Sequence, residues 1–238
     1  MAGARWLIWV PVAAVLFSPR ALAQSNRVAV FPFAKGTVWT YAGTVRWTSA
    51  QNRPESRRVR WTSAAADAFD RSDASGVLLH GGVWDLAWWS PQTRPADYAV
   101  LRLRTRYYLI RDDAKRVFAR VRSSGRAGLP GNAERDERWF DAPLETERLL
   151  RPSGVAPRSD TLYGWLVERA VAVNLTVPGV PLAERTADEL RYTTLPDEQR
   201  VTLVPGVGVT SFVYRHRGTV AEADVRLVDV RLVDQLAP

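Results

Sequence analysis

The chain contains no cysteine. It therefore has no residue for disulfides, thiolate metal ligation, a cysteine nucleophile or a lipid anchored on a thioether. Histidine occurs twice, at His80 and His216, on segments far apart, and no HExxH or comparable ligand spacing exists, so no metal site is expected. A GxSxG elbow is missing, which leaves His80-Gly81-Gly82 without the nucleophile that a glycine-rich oxyanion loop serves. Neither GxGxxG nor GxxxxGK occurs. Pro205-Gly206-Val207-Gly208 leads into a strand pattern and reads as a tight turn or bulge at a strand entry. No cofactor is expected. Lysine is confined to Lys35 and Lys115, so arginine carries the positive charge. Long helical periodicity is also absent.

What is present begins with a leader. Arg5 is the only charge ahead of an apolar run from Trp6 to Phe17, and Ala21-Leu22-Ala23 has the small-x-small form of a cleavage site. Residues 1–23 are expected to be a signal peptide cleaved near Ala23, leaving 24–238 as a single β domain, periplasmic or secreted. The apolar run is shorter than the roughly 20 residues a spanning helix needs, and no later run approaches that length, so no membrane span is expected after cleavage. The formal net charge of the whole chain is +8. An exported address and the lack of a basic helix argue against a nucleic-acid partner; arginine in this quantity suits carboxylate or phosphate.

Strand patterns dominate. Val38–Thr48 alternates, with Trp39, Tyr41, Val45 and Trp47 on one face and Gly43 interrupting it. Phe31-Pro32-Phe33 and Lys35-Gly36 read as the turn that feeds it. Further strands are expected at 57–63, 76–79, 83–89, 98–111, 115–122, 162–177, 189–195, 199–204, 207–216 and 220–233. Asp141 near a cap and Pro143 in the first turn predict a short helix near 141–150. The fold class is all-β, an antiparallel β-sandwich or open β-barrel with that one short helix.

Two hairpins follow from the alternation. Tyr98–Arg111 and Lys115–Arg122, joined by Asp112-Asp113-Ala114, place Arg102, Arg104, Arg106 and Arg120 on one sheet face. Like charges across a ladder are destabilising, so that face calls for an acid of the chain or an external anion. In the second, a two-residue turn at Arg217-Gly218 sets Tyr214 across from Ala221 and Phe212 across from Ala223. The apolar phase slips beyond Leu227, which predicts a β-bulge there.

Candidate sites are few. Trp84, Trp88 and Trp89 fall in one stretch, and clustered aromatics of this kind form platforms for sugars, line apolar cavities or fill a β core. Arg102, Arg104, Arg106 and Arg120 form the candidate anion site. Glu134, Asp136, Glu137, Glu145 and Glu147 supply carboxylates for a hydrolase, although glycoside cleavage needs two of them about 5–10 Å apart across a cleft, which sequence proximity does not establish. Asn174-Leu175-Thr176 is a sequon without evident use.

Two motifs stand at opposite ends. Phe31 to Gly43 has the form FPxxxGxxWxYxG, and Val204-Pro205-Gly206-Val207-Gly208-Val209 leads into Phe212-Val213-Tyr214. Together they resemble a group of exported bacterial β-proteins of uncharacterised role, sometimes called TapB-like, which open on a GxxWxY strand and close on a GVG-led hairpin. The resemblance implies an antiparallel β fold in the envelope and brings no catalytic residues. The functional expectation is a non-enzymatic soluble exported protein that binds an envelope component, an apolar ligand or a protein partner. An anion-binding module on the arginine face and a hydrolase with a carboxylate pair are the alternatives.

Overall fold

The computed structural model describes residues 30–144, 149–150, 164–169, 187–193 and 197–232. The leader, the sequon, Glu145 and Glu147 lie outside them.

Among the described residues twelve strands pair into one sheet. In chain order they are β1 (Thr37–Thr48), β2 (Pro54–Asp70), β3 (Ala74–His80), β4 (Asp97–Leu103), β5 (Arg106–Ile110), β6 (Arg138–Asp141), β7 (Leu149–Leu150), β8 (Gly164–Arg169), β9 (Asp188–Thr193), β10 (Asp197–Val204), β11 (Gly208–His216) and β12 (Ala221–Leu232). Their spatial order is β6-β5-β4-β3-β2-β1-β12-β11-β10-β9-β8-β7, and every pairing is antiparallel. The first and last strands thus meet in the middle. The chain walks outward from β1 to one edge at β6, crosses to the opposite edge at β7, and walks back to β12.

That crossing forces the sheet to curl. Asp141 and Leu149 end and begin the two edge strands, and eight residue steps reach at most about 29 Å. Laid flat, twelve strands about 4.8 Å apart would hold those edges about 53 Å apart. An open barrel reconciles the two lengths.

The alternation of β1 builds its inner face. Trp39, Tyr41 and Val45 are buried and Trp47 packs against the same core, together with Val77, Leu79, Val100, Tyr107, Phe140, Leu203, Phe212, Tyr214 and Val225. Gly43 interrupts this face because the strands leave no room for a side chain: a Cβ there would lie 1.9 Å from the Asp224 carbonyl oxygen. The bulge expected beyond Leu227 is present, since Tyr41 pairs with Leu227 and Thr40 with Asp229, leaving Val228 as the extra residue.

A second core lies on the outer face of β3–β5, under helix α1 (Ala114–Ser124). Here the expectation of a strand at 115–122 is corrected. Val117 and Val121 fit a two-residue period, but so do they fit a helix, and burial falls on Ala114, Val117, Phe118 and Val121 while Ala119 is exposed. The helix wins because the outer faces of β3 and β4 expose Leu78, Ala99 and Leu101, which only an amphipathic cover can bury. Phe118 meets Phe69 at 5.3 Å between ring centroids. The helix expected near 141–150 is corrected as well: β6 runs through Asp141 and β7 takes Leu149–Leu150, with 145–148 outside the described residues.

The run 98–111 is two strands, reversed at Arg104-Thr105 with Leu103 paired to Arg106. In the second hairpin Tyr214 pairs with Ala223 and Phe212 with Val225, two places beyond the expected register. Residues 217–220 lie between β11 and β12, so the loop is longer than the expected two-residue turn. An even shift keeps every side chain on its expected face.

Candidate functional site

The connection between β3 and β4, residues 81–96, crosses the inner face toward β11. The stretch expected as a strand at 83–89 is instead a 3-10 turn, Val83–Leu86, followed by a tight reversal. Asp85 anchors it: its carboxylate accepts the Tyr98 hydroxyl at 2.8 Å and the Ala96 N–H at 3.0 Å. Burial pushes the Asp85 carboxyl above the usual aspartate range, although those two bonds and nearby Arg111 oppose the shift. The Trp61 indole N–H donates to the Gly82 carbonyl at 3.1 Å, tying the loop to β2.

This geometry separates the three tryptophans. Trp84 packs against Tyr98 and Trp139, with centroids at 5.2 and 5.4 Å. Trp89 is buried edge-on against Trp47 at 4.8 Å. Trp88 alone turns outward. It is 53% exposed, the large hydrophobic residue left open among the described residues, and its φ is 55°. A bulky side chain in the left-handed region is a backbone outlier, tolerated when the surroundings impose it.

Trp88 lies against His216 (4.4 Å between ring centroids) and Tyr214 (6.2 Å). Asp197 organises that pair. Its Oδ1 accepts the Tyr214 hydroxyl at 2.6 Å and lies 2.9 Å from His216 Nδ1. A carboxylate facing Nδ1 fixes the proton there and leaves Nε2 as an acceptor in the neutral ring. Burial pushes the Tyr214 phenol far above its ordinary value, and Asp197 adds to the shift. His216, at the end of β11, has a side chain only 13% exposed. The sequence names His216 only as one of two isolated histidines and gives no local sign that Asp197 faces it. Asp197 begins β10 and pairs directly with His216.

The four candidate arginines separate too. Arg102 donates to Ser75 Oγ at 2.7 Å, lies 3.3 Å from Asp70 Oδ1, and covers the Phe33 ring at 5.4 Å. Arg106 projects on the opposite face, where Glu134 Oε1 accepts from Arg106 at 2.9 Å, Tyr108 at 2.7 Å and Arg126 at 3.1 Å. Burial opposes ionisation of Glu134, but these three donors outweigh it and hold the carboxyl below its ordinary range. Arg104 and Arg106 line a cavity of about 350 Å³ with Arg126, Tyr108 and Asp73. Arg120 is exposed on α1 and does not reach it. The structure thus joins two of the four and adds Arg126.

At the far end of β4, Asp97 bridges His80 at 3.0 Å and Lys115 at 2.8 Å. The Lys115 hydrogen bond holds the Asp97 carboxyl below the usual range against partial burial, with His80 assisting. Among the described residues no three His, Asp or Glu side chains gather as a metal would require. Nor is any described helix long and apolar enough to cross a membrane.

No protein-family model matches the chain, and no curated protein matches it. Two solved structures resemble it in outline. A "putative lipoprotein" from Parabacteroides distasonis is 10% identical, with a TM-score of 0.43 over 87% of this chain and 100% of that one. A "putative exported protein with YmcC-like fold" from Bacteroides fragilis is 9% identical, with a TM-score of 0.41 over 84% of this chain and 98% of that one.

Proposed function

We propose that this is a non-enzymatic exported binding protein that holds an envelope component at Trp88, and that the component presents a sugar ring. The observation that carries the reading is the exposure of Trp88 at a φ of 55°. An indole kept open in a strained backbone conformation is retained for a use that packing does not supply. The neighbouring groups define the ligand. A flat aromatic face beside the imidazole of His216 and the Asp197 carboxylate suits a ring with an apolar face and a hydroxyl rim. An acyl chain would call for an enclosed apolar channel instead.

The test is titration of the purified protein with envelope glycan fragments, followed by calorimetry and by indole N–H shifts in NMR. Saturable binding that moves the Trp88 resonance and disappears in Trp88→Gly supports the reading. Binding unchanged in that variant overturns it, as does native mass spectrometry that finds acyl lipid bound in place of glycan.

A further inference from the structure

We propose that the outer face of β2–β1–β12 is an electrostatic docking surface for the phosphate headgroups of an anionic phospholipid layer, built on Arg58, Arg60 and Arg226. The register places these residues together. Ala42 of β1 pairs with Arg60 on one side and with Arg226 on the other; Thr44 pairs with Arg58. Two strand spacings put Arg60 and Arg226 about 10 Å apart across the Ala42 methyl, and Arg58 follows Arg60 by about 7 Å along β2. All three are exposed. None makes an ion pair among the described residues, whereas Arg46 on the same face is matched by Glu222 at 3.0 Å. Asp224, opposite Thr44, is the nearest acid by register and pairs with none of them.

Arg58, Arg60 and Arg226 against the single acid Asp224 leave this part of the face net positive, and their mutual repulsion costs stability. The floor between them is small, Ala42 and Thr44, so phosphate oxygens can approach between the guanidinium groups, which suit them in shape and charge. Helix α1 covers the outer face over β3–β5 and reaches β2 at Phe69 and Asp67, and among the described residues it does not extend to Arg58 and Arg60. The face is broad, without enclosing walls or a large apolar side chain, so it fits an extended charged surface rather than a small enclosed anion.

The test is flotation of the protein, purified from an exporting host, with phosphatidylglycerol vesicles and with phosphatidylcholine vesicles as the uncharged comparison. Binding to the anionic vesicles that falls steeply with salt is expected. At about fivefold per arginine, R58Q/R60Q/R226Q should lower that binding on the order of 100-fold. The charge-matched variant R94Q/R116Q/R120Q should lower it far less. Equal losses in the two variants would mean net charge alone is felt and would overturn the proposal. So would equal binding to both vesicle types, or binding to a soluble acidic glycan in preference to vesicles. Should the triple variant fold poorly by circular dichroism, R60Q alone carries the same comparison at about fivefold. The outcome is independent of Trp88, which lies on the β3–β4 connection against Tyr214 and His216.

Discussion

Trp39 donates its indole N–H to the carbonyl of Val207 at 2.8 Å, 168 residues further along the chain. Two positions on, the Tyr41 hydroxyl donates to the Val209 carbonyl at 3.0 Å. Both side chains leave β1 and reach over β12 to the start of β11. Between those two carbonyls Gly208 sits at φ 94°, and a Cβ there would come within 3.1 Å of the Phe31 ring. The opening FPxxxGxxWxYxG stretch and the late PGVG turn are therefore one structural unit, and it holds the centre of the sheet in its curl.

Removing the donor should expose this dependence. Trp39→Phe keeps most of the ring but strands the buried Val207 carbonyl, which should cost about 1–3 kcal/mol plus the loss of the smaller ring's packing. Tyr41→Phe strands the Val209 carbonyl at about 1–2 kcal/mol with little change of volume. Denaturant unfolding measures both. A Tyr41→Phe variant as stable as the parent would mean that the hydroxyl does not hold β11.

Gly43→Ala should be far worse than its size implies. The new methyl would fall 1.9 Å from the Asp224 carbonyl oxygen and 2.7 Å from the Val225 Cα, both backbone. Relief requires parting β1 from β12 at the sheet centre, at about 3 kcal/mol or more, the upper end of overpacking costs. Gly131→Ala meets nothing within 4 Å and is the matched comparison. It should change stability by less than about 1 kcal/mol. Thermal melts of the pair decide the matter, and equal losses would contradict the close approach.

Much of this architecture was legible, and the failures have physical causes. The strand at β1, the bulge past Leu227 and the turn at Pro205–Gly208 follow from local period and glycine placement. Lys115–Arg122 was misread because Val117 and Val121 satisfy both periods, and the deciding residue, Phe118, gains its partner only from β2. The tryptophans were visible as a cluster but not as three different environments, since a 3-10 turn sends neighbours in different directions. The Asp197–His216 pairing is a fact of register between β10 and β11, which no local pattern encodes. Likewise the arginines met as a local run divide between two faces, while Arg60 and Arg226 meet through a shared neighbour on β1.

Asp85 lies within the β3–β4 connection and Asp97 just past its end, and their carboxyls are shifted in opposite directions. Burial raises the folded-state value of Asp85 above its unfolded one, so its contribution is full below the ordinary aspartate value and fades as pH rises through the raised one. Lys115 depresses Asp97, so its contribution is present above the ordinary value and fades as pH falls through the depressed one. Carboxyl NMR on raising the pH should therefore show Asp97 ionising before Asp85. Asp85→Asn should remove the loss of stability above the ordinary aspartate value, while giving up one of the two bonds that the carboxylate oxygens accept. Lys115→Met should move Asp97 back toward that value and leave Asp85 in place. The reverse order of ionisation would contradict the placement of both groups.

Trp88 and Trp89, adjacent in sequence, should answer mutation to different degrees. Trp89 is buried against Trp47, and Trp89→Ala should cost about 3–5 kcal/mol as other large-to-small core changes do. Trp88 is 53% exposed, so about half of it packs against His216 and Tyr214, and it occupies φ 55°, a conformation that glycine adopts freely. In Trp88→Gly the relief of strain, a gain of about 1 kcal/mol, offsets part of that lost packing, so stability should fall far less than in Trp89→Ala, while glycan binding is lost. Trp88→Ala keeps the Cβ and with it the strain, so it should lose binding without that gain. The separation matters because a tryptophan kept only for packing would behave like Trp89. If Trp88→Gly melts as far below the parent as Trp89→Ala, the residue is structural and the site reading fails. If it melts near the parent and binding is gone, the strain at Trp88 is maintained for the ligand.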